Sequence, residues 1–106
     1  MANHAVELFT ATPRQHNCAQ SVASGLGHDE LFAELAGCGG GHAPEGRCGA
    51  LHAATLICGE AKAEEIARRF VRELGSEKCA ELKRVFKVPC VRCVETAAFL
   101  AEESQK

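Results

Sequence analysis

Seven cysteines stand in a chain of 106 residues, and their neighbours point to the ones that could do chemistry. Cys48 is the leading candidate. It follows Gly39-Gly40-Gly41 and Pro44-Glu45-Gly46, which cannot hold a helix. It precedes Gly49-Ala50-Leu51-His52-Ala53-Ala54-Thr55-Leu56-Ile57-Cys58, which is small or apolar almost all round. A glycine loop therefore feeds a buried helix, with Cys48 at the junction. There the first-turn N–H groups and the positive end of the helix dipole favour a thiolate, and Gly49 gives it little steric cover. Cys18, Cys79 and Cys90 are expected in or beside the first turns of three other helices. Helix starts converging on one point would gather these sulfurs among positive dipole ends, as a metal cluster or a reactive disulfide requires. The spacing is less specific than the placement. A zinc knuckle or a ferredoxin run shows paired or compact cysteines, whereas the only tight pair here is Cys90-Val91-Arg92-Cys93. Three residues along a helix keep Cys93 near the face of Cys90, so Cys93 is the residue expected to join or replace one of the other four.

The elements that must position these cysteines read as helices. Thr12-Pro13-Arg14-Gln15 has the form of a capping box with a first-turn proline, opening a helix with Cys18, Ala19, Val22 and Ala23 on its inner side and Gly25 and Gly27 at its end. A short helix is expected from Asp29 through Leu31, Phe32, Leu35 and Ala36 to Gly37. After the buried helix and Gly59, Ala63, Ile66, Ala67, Phe70, Val71 and Leu74 recur by threes and fours, the clearest amphipathic period in the chain. On its other face Glu64–Arg68 and Glu65–Arg69 have the favourable order for pairs four apart. Gly75 stops that helix, and Ser76 is placed to cap a short one holding Cys79, Leu82, Val85 and Phe86. Pro89 then opens a last helix from about Cys90 to Glu103, with Val94, Ala97, Ala98 and Ala101 inward. No alternating strand pattern, repeat or sustained heptad is present. The fold expected is all-α, a compact bundle of five or six short helices joined by glycine turns, spanning residues 1–106 as a single cysteine-rich redox domain.

Composition narrows the partners. A net charge of −2 without a basic stripe argues against nucleic acid. No segment reaches membrane-spanning length, and the first residues carry no signal-peptide pattern, so a cytoplasmic protein is expected. In a reducing compartment many cysteines, odd in number, point to metal binding or redox work rather than to a disulfide framework. No acid–base pair, nucleotide loop or hydroxyl nucleophile motif supports a hydrolase or transferase, and whether the protein is an enzyme is left open.

Four segments, in order, carry a family resemblance: Asn17-Cys18-Ala19-Gln20-Ser21-Val22; Gly39-Gly40-Gly41 leading to Cys48-Gly49-Ala50-Leu51-His52-Ala53; Leu74-Gly75-Ser76-Glu77-Lys78-Cys79-Ala80-Glu81-Leu82; and Cys90 followed by Val94, Ala97 and Ala98. The chain resembles the C_GCAxxG_C_C family of small redox-active proteins, named for its cysteine pattern, over nearly its whole length after Thr12. It departs where the motif's second glycine is Ala53, which implies a slightly wider helix contact there. The resemblance places the four family cysteines on Cys18, Cys48, Cys79 and Cys90 and leaves Cys38, Cys58 and Cys93 as extras. A domain similar to this family also occurs fused to a multihaem cytochrome, where an iron–sulfur centre held by cysteines is implied. Covalent haem is not expected here, because no Cys-x-x-Cys-His segment is present.

The leading expectation is thus an iron–sulfur electron carrier, with a 2Fe-2S cluster favoured because four thiolates complete its coordination. The alternatives are a metal-free thiol–disulfide protein, in which Cys48 or Cys90 attacks and Cys90–Cys93 is the best dithiol, and a zinc-stabilised protein-interaction domain. A redox partner protein is expected, and a homodimer is left open. His16 reads as a helix-surface residue. His42 and His52 flank Cys48, and His52 has the better case for tuning it. Arg47 and Arg92 adjoin motif cysteines but read as solvated. Cys38 is either a fifth sulfur or a loop residue, and Cys58, a helix length from Cys48, reads as core.

Overall fold

The computed structural model describes residues 2–11, 16–37 and 47–104. Among these the chain forms six α-helices: α1 (Ala2–Thr10), α2 (Cys18–Gly25), α3 (Gly49–Cys58), α4 (Glu60–Leu74), α5 (Cys79–Arg84) and α6 (Cys90–Ser104). A single 3-10 turn, Asp29–Leu31, follows α2. No strand occurs among the described residues; the one β-type pairing is an isolated antiparallel bridge between Arg47 and Lys78. The fold is an all-helical compact bundle. No helix among the described residues is long and apolar enough to cross a membrane.

Helix α6 lies at the centre and packs on α1, α2, α3 and α4, while α3 packs on α2, α4 and α6. Small residues make these contacts possible. Ala19, Ala23, Ala53, Ala54, Ala97, Ala98 and Ala101 are all fully buried, so backbones approach closely, and Leu51, Ile66, Phe70, Leu82 and Val94 fill the space between them. The methyl of Ala53 is accommodated inside this core. Helix α4 turns Ile66, Phe70 and Leu74 inward as its period requires, and Ala67 packs half-buried beside them. Gly75 ends α4 at φ +104°, a left-handed conformation that side chains other than glycine's adopt only with strain.

Four elements differ from the sequence reading. Helix α1 was not anticipated, because it offers only Ala5, Val6 and Phe9 as a short apolar face, and a helix so brief is stable mainly through what it packs against. Here it lies on Gly25, where a Cβ would come within 2.6 Å of Ala5 Cα. The start of α2 is set by Asn17: its Oδ1 accepts from the Gln20 N–H at 2.7 Å, and its own N–H donates to Gln20 Oε1 at 2.9 Å. The capping sequence Thr12–Gln15 lies outside the described residues. The stretch expected as a helix from Asp29 to Gly37 is instead the 3-10 turn followed by irregular turns. The α2 cap supplies the reason. Asn17 Nδ2 donates to the Leu35 and Ala36 carbonyls at 2.9 and 3.0 Å, and Gln20 Nε2 to the Phe32 carbonyl at 2.9 Å. A carbonyl bonded to these amides is drawn away from a helical ladder.

Helix α5 is also shorter than expected. It ends at Arg84, leaving Val85 and Phe86 beyond it, 65% and 47% exposed. Its N-cap is Lys78 rather than Ser76, but Ser76 still organises the start: its Oγ accepts from the Lys78 N–H at 3.0 Å and donates to Glu81 Oε1 at 2.6 Å.

Candidate functional site

Four helix starts deliver cysteines. Cys18, Cys79 and Cys90 are the first residues of α2, α5 and α6, and Cys48 is the N-cap of α3. Local chemistry holds each start in place. Cys48 donates its backbone N–H to the Glu77 carbonyl at 2.7 Å, and Arg47 Nη2 meets Glu77 Oε1 at 3.3 Å, so with the Arg47–Lys78 bridge the entries to α3 and α5 are zipped together. The Val88 N–H donates to the Leu82 carbonyl at 2.8 Å and folds the chain back from α5 toward α6. Pro89 then accepts from the Arg92 and Cys93 N–H groups at 3.0 and 3.4 Å, which launches α6 with Cys90 and Cys93 in its first turn.

These starts meet. Cys18, Cys48, Cys79, Cys90 and Cys93 line one cavity of about 10 Å³, walled by Gly49, Leu82 and Val88 and reached by Lys83. The sulfurs form two tiers. Cys18, Cys48 and Cys93 are buried at 8%, 4% and 4% exposure, while Cys79 and Cys90 are half-buried at the rim. Cys93, expected as the joining or replacing sulfur, stands in the inner tier.

Charge is distributed to match. Cys48 is held below its ordinary value of 9.0, at about 7. The chief cause is the hydrogen bond from the Cys93 thiol; burial opposes it, and the Leu51 and Ala50 amides and the Lys83 ammonium add to it. Those amides act as nearby dipoles, since no cap hydrogen bond to the Cys48 side chain is formed. Cys93 is pushed up, first by the same bond, then by burial and by the neighbouring Cys48, Cys90 and Cys18 sulfurs. Of the two, Cys48 is thus the more acidic thiol and Cys93 the one that keeps its proton. At the rim burial raises Cys79, and Lys83 partly counteracts it. Lys83 is itself raised, first by the charges of Cys90 and Cys79, with burial opposing. Lys83 was absent from the sequence reading, although its position four residues after Cys79, on the same face of α5, was the signal that could have found it.

The remaining candidates lie elsewhere. Cys58 is half-buried at the far end of α3, is raised chiefly by burial, and its Sγ donates to the Ala101 carbonyl at 3.5 Å. The His16 ring stands edge-on to Phe32 with centroids 5.2 Å apart. His52, lowered by burial and by Arg47, is not among the pocket-lining residues. Arg47 is engaged with Glu77, and Arg92 is exposed. Cys38 and His42 lie outside the described residues.

A sulfur-only donor set with a thiolate near neutrality and an ammonium beside it fits an iron–sulfur cluster in its chemistry. The cavity as it stands has room for about one water molecule. No three Cys, His, Asp or Glu side chains among the described residues are placed to hold a metal ion without moving. A cluster here would require the thiols to turn and the cavity to widen. No protein-family model, curated protein or solved structure matches the chain.

Proposed function

We propose that the protein is a small redox protein that transfers electrons through an iron–sulfur cluster held in the five-cysteine pocket. The observation that carries this reading is the convergence of Cys18, Cys48, Cys79, Cys90 and Cys93 from four helix starts on one cavity. Cys18, Cys48, Cys79 and Cys90 are the proposed ligands, and Cys93 is the sulfur that substitutes for one of them. A 2Fe-2S cluster, which takes four thiolates, would supply a one-electron couple. The resemblance in cysteine motifs, which rests on the residues alone, points the same way. In this reading the N-terminal dipoles of α2, α3 and α6 and the Lys83 ammonium offset the charge of gathered thiolates, and Leu82 and Val88 keep water from the inner sulfurs. The partner is a redox protein in a reducing, cytoplasmic compartment.

The contact between Cys48 and Cys93 favours a second reading, a two-electron dithiol. The Cys48 thiolate would attack a partner protein's disulfide, and the departing partner thiolate would take up the Cys93 proton. Cys93 would then attack the Cys48 sulfur, closing an intramolecular disulfide and releasing the second partner thiolate. The 4% exposure of both sulfurs weighs against this route, since an incoming disulfide must reach the thiolate in line.

One experiment separates the two. Protein made and purified without oxygen is expected to be brown, with about two iron and two acid-labile sulfide per chain, the content of a two-iron cluster. A colourless, iron-free protein whose Cys48 and Cys93 oxidise together would overturn the cluster reading and leave the dithiol.

A further inference from the structure

The surface at the rim of the cysteine pocket differs in charge from the rest of the chain. Between Cys79 and Cys93 stand Lys83, Arg84, Lys87 and Arg92, all exposed, against one carboxylate, Glu81. This short stretch thus holds four of the 12 basic residues but only one of the 14 acidic ones, in a chain whose net charge is −2. Among these cations Val85 and Phe86 are 65% and 47% exposed.

The loop is pinned to the pocket. Leu82 and Lys83 on one side of it and Val88 on the other line the cavity, and the Val88 N–H to Leu82 carbonyl bond of 2.8 Å closes it. The Phe86 ring lies against Gly75, close enough that a Cβ there would come within 2.8 Å of the ring, so the exposed aromatic is held in place. Lys87 adopts φ +55°, which turns the chain sharply just before it returns to the pocket.

We infer that the Arg84–Lys87 loop, with Lys83, is the docking surface for an acidic redox partner protein, which would place its own redox centre beside Cys79 and Cys90. The inference rests on the redox reading of the pocket. Two exposed apolar residues, Val85 and Phe86, flanked along the chain by Lys83, Arg84 and Lys87, are the complement of a protein surface with carboxylates beside an apolar spot. A second copy of this chain would bring the same cations face to face. A phosphate backbone would meet the cations but find no use for Val85 and Phe86, and it would be repelled by the net negative remainder of the chain.

The test uses isotope-labelled protein as purified, with its iron content measured on the same sample, titrated with an acidic two-iron ferredoxin, with basic cytochrome c and with a short DNA duplex while amide shifts are recorded. The acidic probe is expected to shift amides between residues 79 and 93, and to bind about tenfold more weakly when salt rises from about 20 to about 200 mM, as screening predicts. Arg84→Glu with Lys87→Glu should lower that affinity by about tenfold or more while the other amides and the iron content stay unchanged. Val85→Ser, which alters no charge, should weaken binding without changing its salt dependence. Absence of binding by the acidic probe, binding on another face, affinity unaffected by the charge reversal, or equal shifts with cytochrome c or DNA would each overturn the inference. Loss of the redox reading would show separately, as absent iron together with thiols that do not exchange.

Discussion

Cys48 and Cys58 bracket helix α3, and their thiols move in opposite directions from the same ordinary value of 9.0, Cys48 down to about 7 and Cys58 up. The helix itself accounts for part of the contrast. At its N-terminus the amides of Leu51 and Ala50 present hydrogens to the sulfur of Cys48, which also receives the Cys93 thiol. At its C-terminus Cys58 has a carbonyl for a neighbour, Ala101 on α6, to which it donates at 3.5 Å. Burial raises Cys58, while donors at Cys48 lower it in spite of burial. Burial cannot explain the difference, because Cys48 is the more deeply buried of the two and yet the more acidic. Position relative to hydrogen-bond donors outweighs desolvation here.

The largest test of this comparison is a pair of substitutions. Cys48→Ser is expected to remove at least about nine-tenths of the bound iron from anaerobically purified protein, since it deletes an inner-tier thiolate, whereas Cys58→Ser is expected to retain nearly all of it. Iron assays showing equal losses would mean that placement at a helix start does not distinguish these sulfurs.

A second test reads the protonation of the cofactor-free protein. Between about pH 7 and 9 the folded state has already released the Cys48 proton while the unfolded chain still holds it, so stability should rise with pH across that window. Above 9 the order reverses. Cys93, Cys79 and Cys58 keep protons that the unfolded chain loses, and stability should fall. Melting temperatures measured across this range should peak near pH 9 for the parent, and Cys48→Ser should flatten the rise while Cys58→Ser leaves it in place. A rise that survives Cys48→Ser would assign it to another group.

The smallest effect concerns the clamp. Arg47→Ala breaks an ion pair whose side chains are 28% and 32% exposed, and a partly solvated pair contributes about 1 kcal/mol or less. The backbone bond from Cys48 to Glu77 remains, so denaturant unfolding should shift by no more than that and the Cys48 end should keep its low-pKa character. A loss of several kcal/mol would show that the side-chain pair, rather than the backbone zipper, holds α3 to α5.

Local sequence determined where most helices begin and end, because caps and breakers act on their own neighbours. Gly75 required a left-handed residue, Pro89 a first turn, and the spacing of Ile66, Phe70 and Leu74 one buried face of α4. The placement of Cys48, Cys79 and Cys90 at helix starts was legible for the same reason, whereas the capping pattern at Thr12 put Cys18 inside a helix that in fact starts with it after Asn17. Tertiary structure decided what those starts face. Helix α1 exists through its packing on Gly25, and the Asp29–Gly37 stretch is drawn out of a helix by Asn17 and Gln20 from an element earlier in the chain. The Cys48–Cys93 pair and the grouping of Lys83 with Cys79 and Cys90 depend on α3, α5 and α6 meeting at one point. No short-range pattern encodes such a meeting, because it is set by the fit of alanine-lined helices around α6, and that fit belongs to the whole core at once.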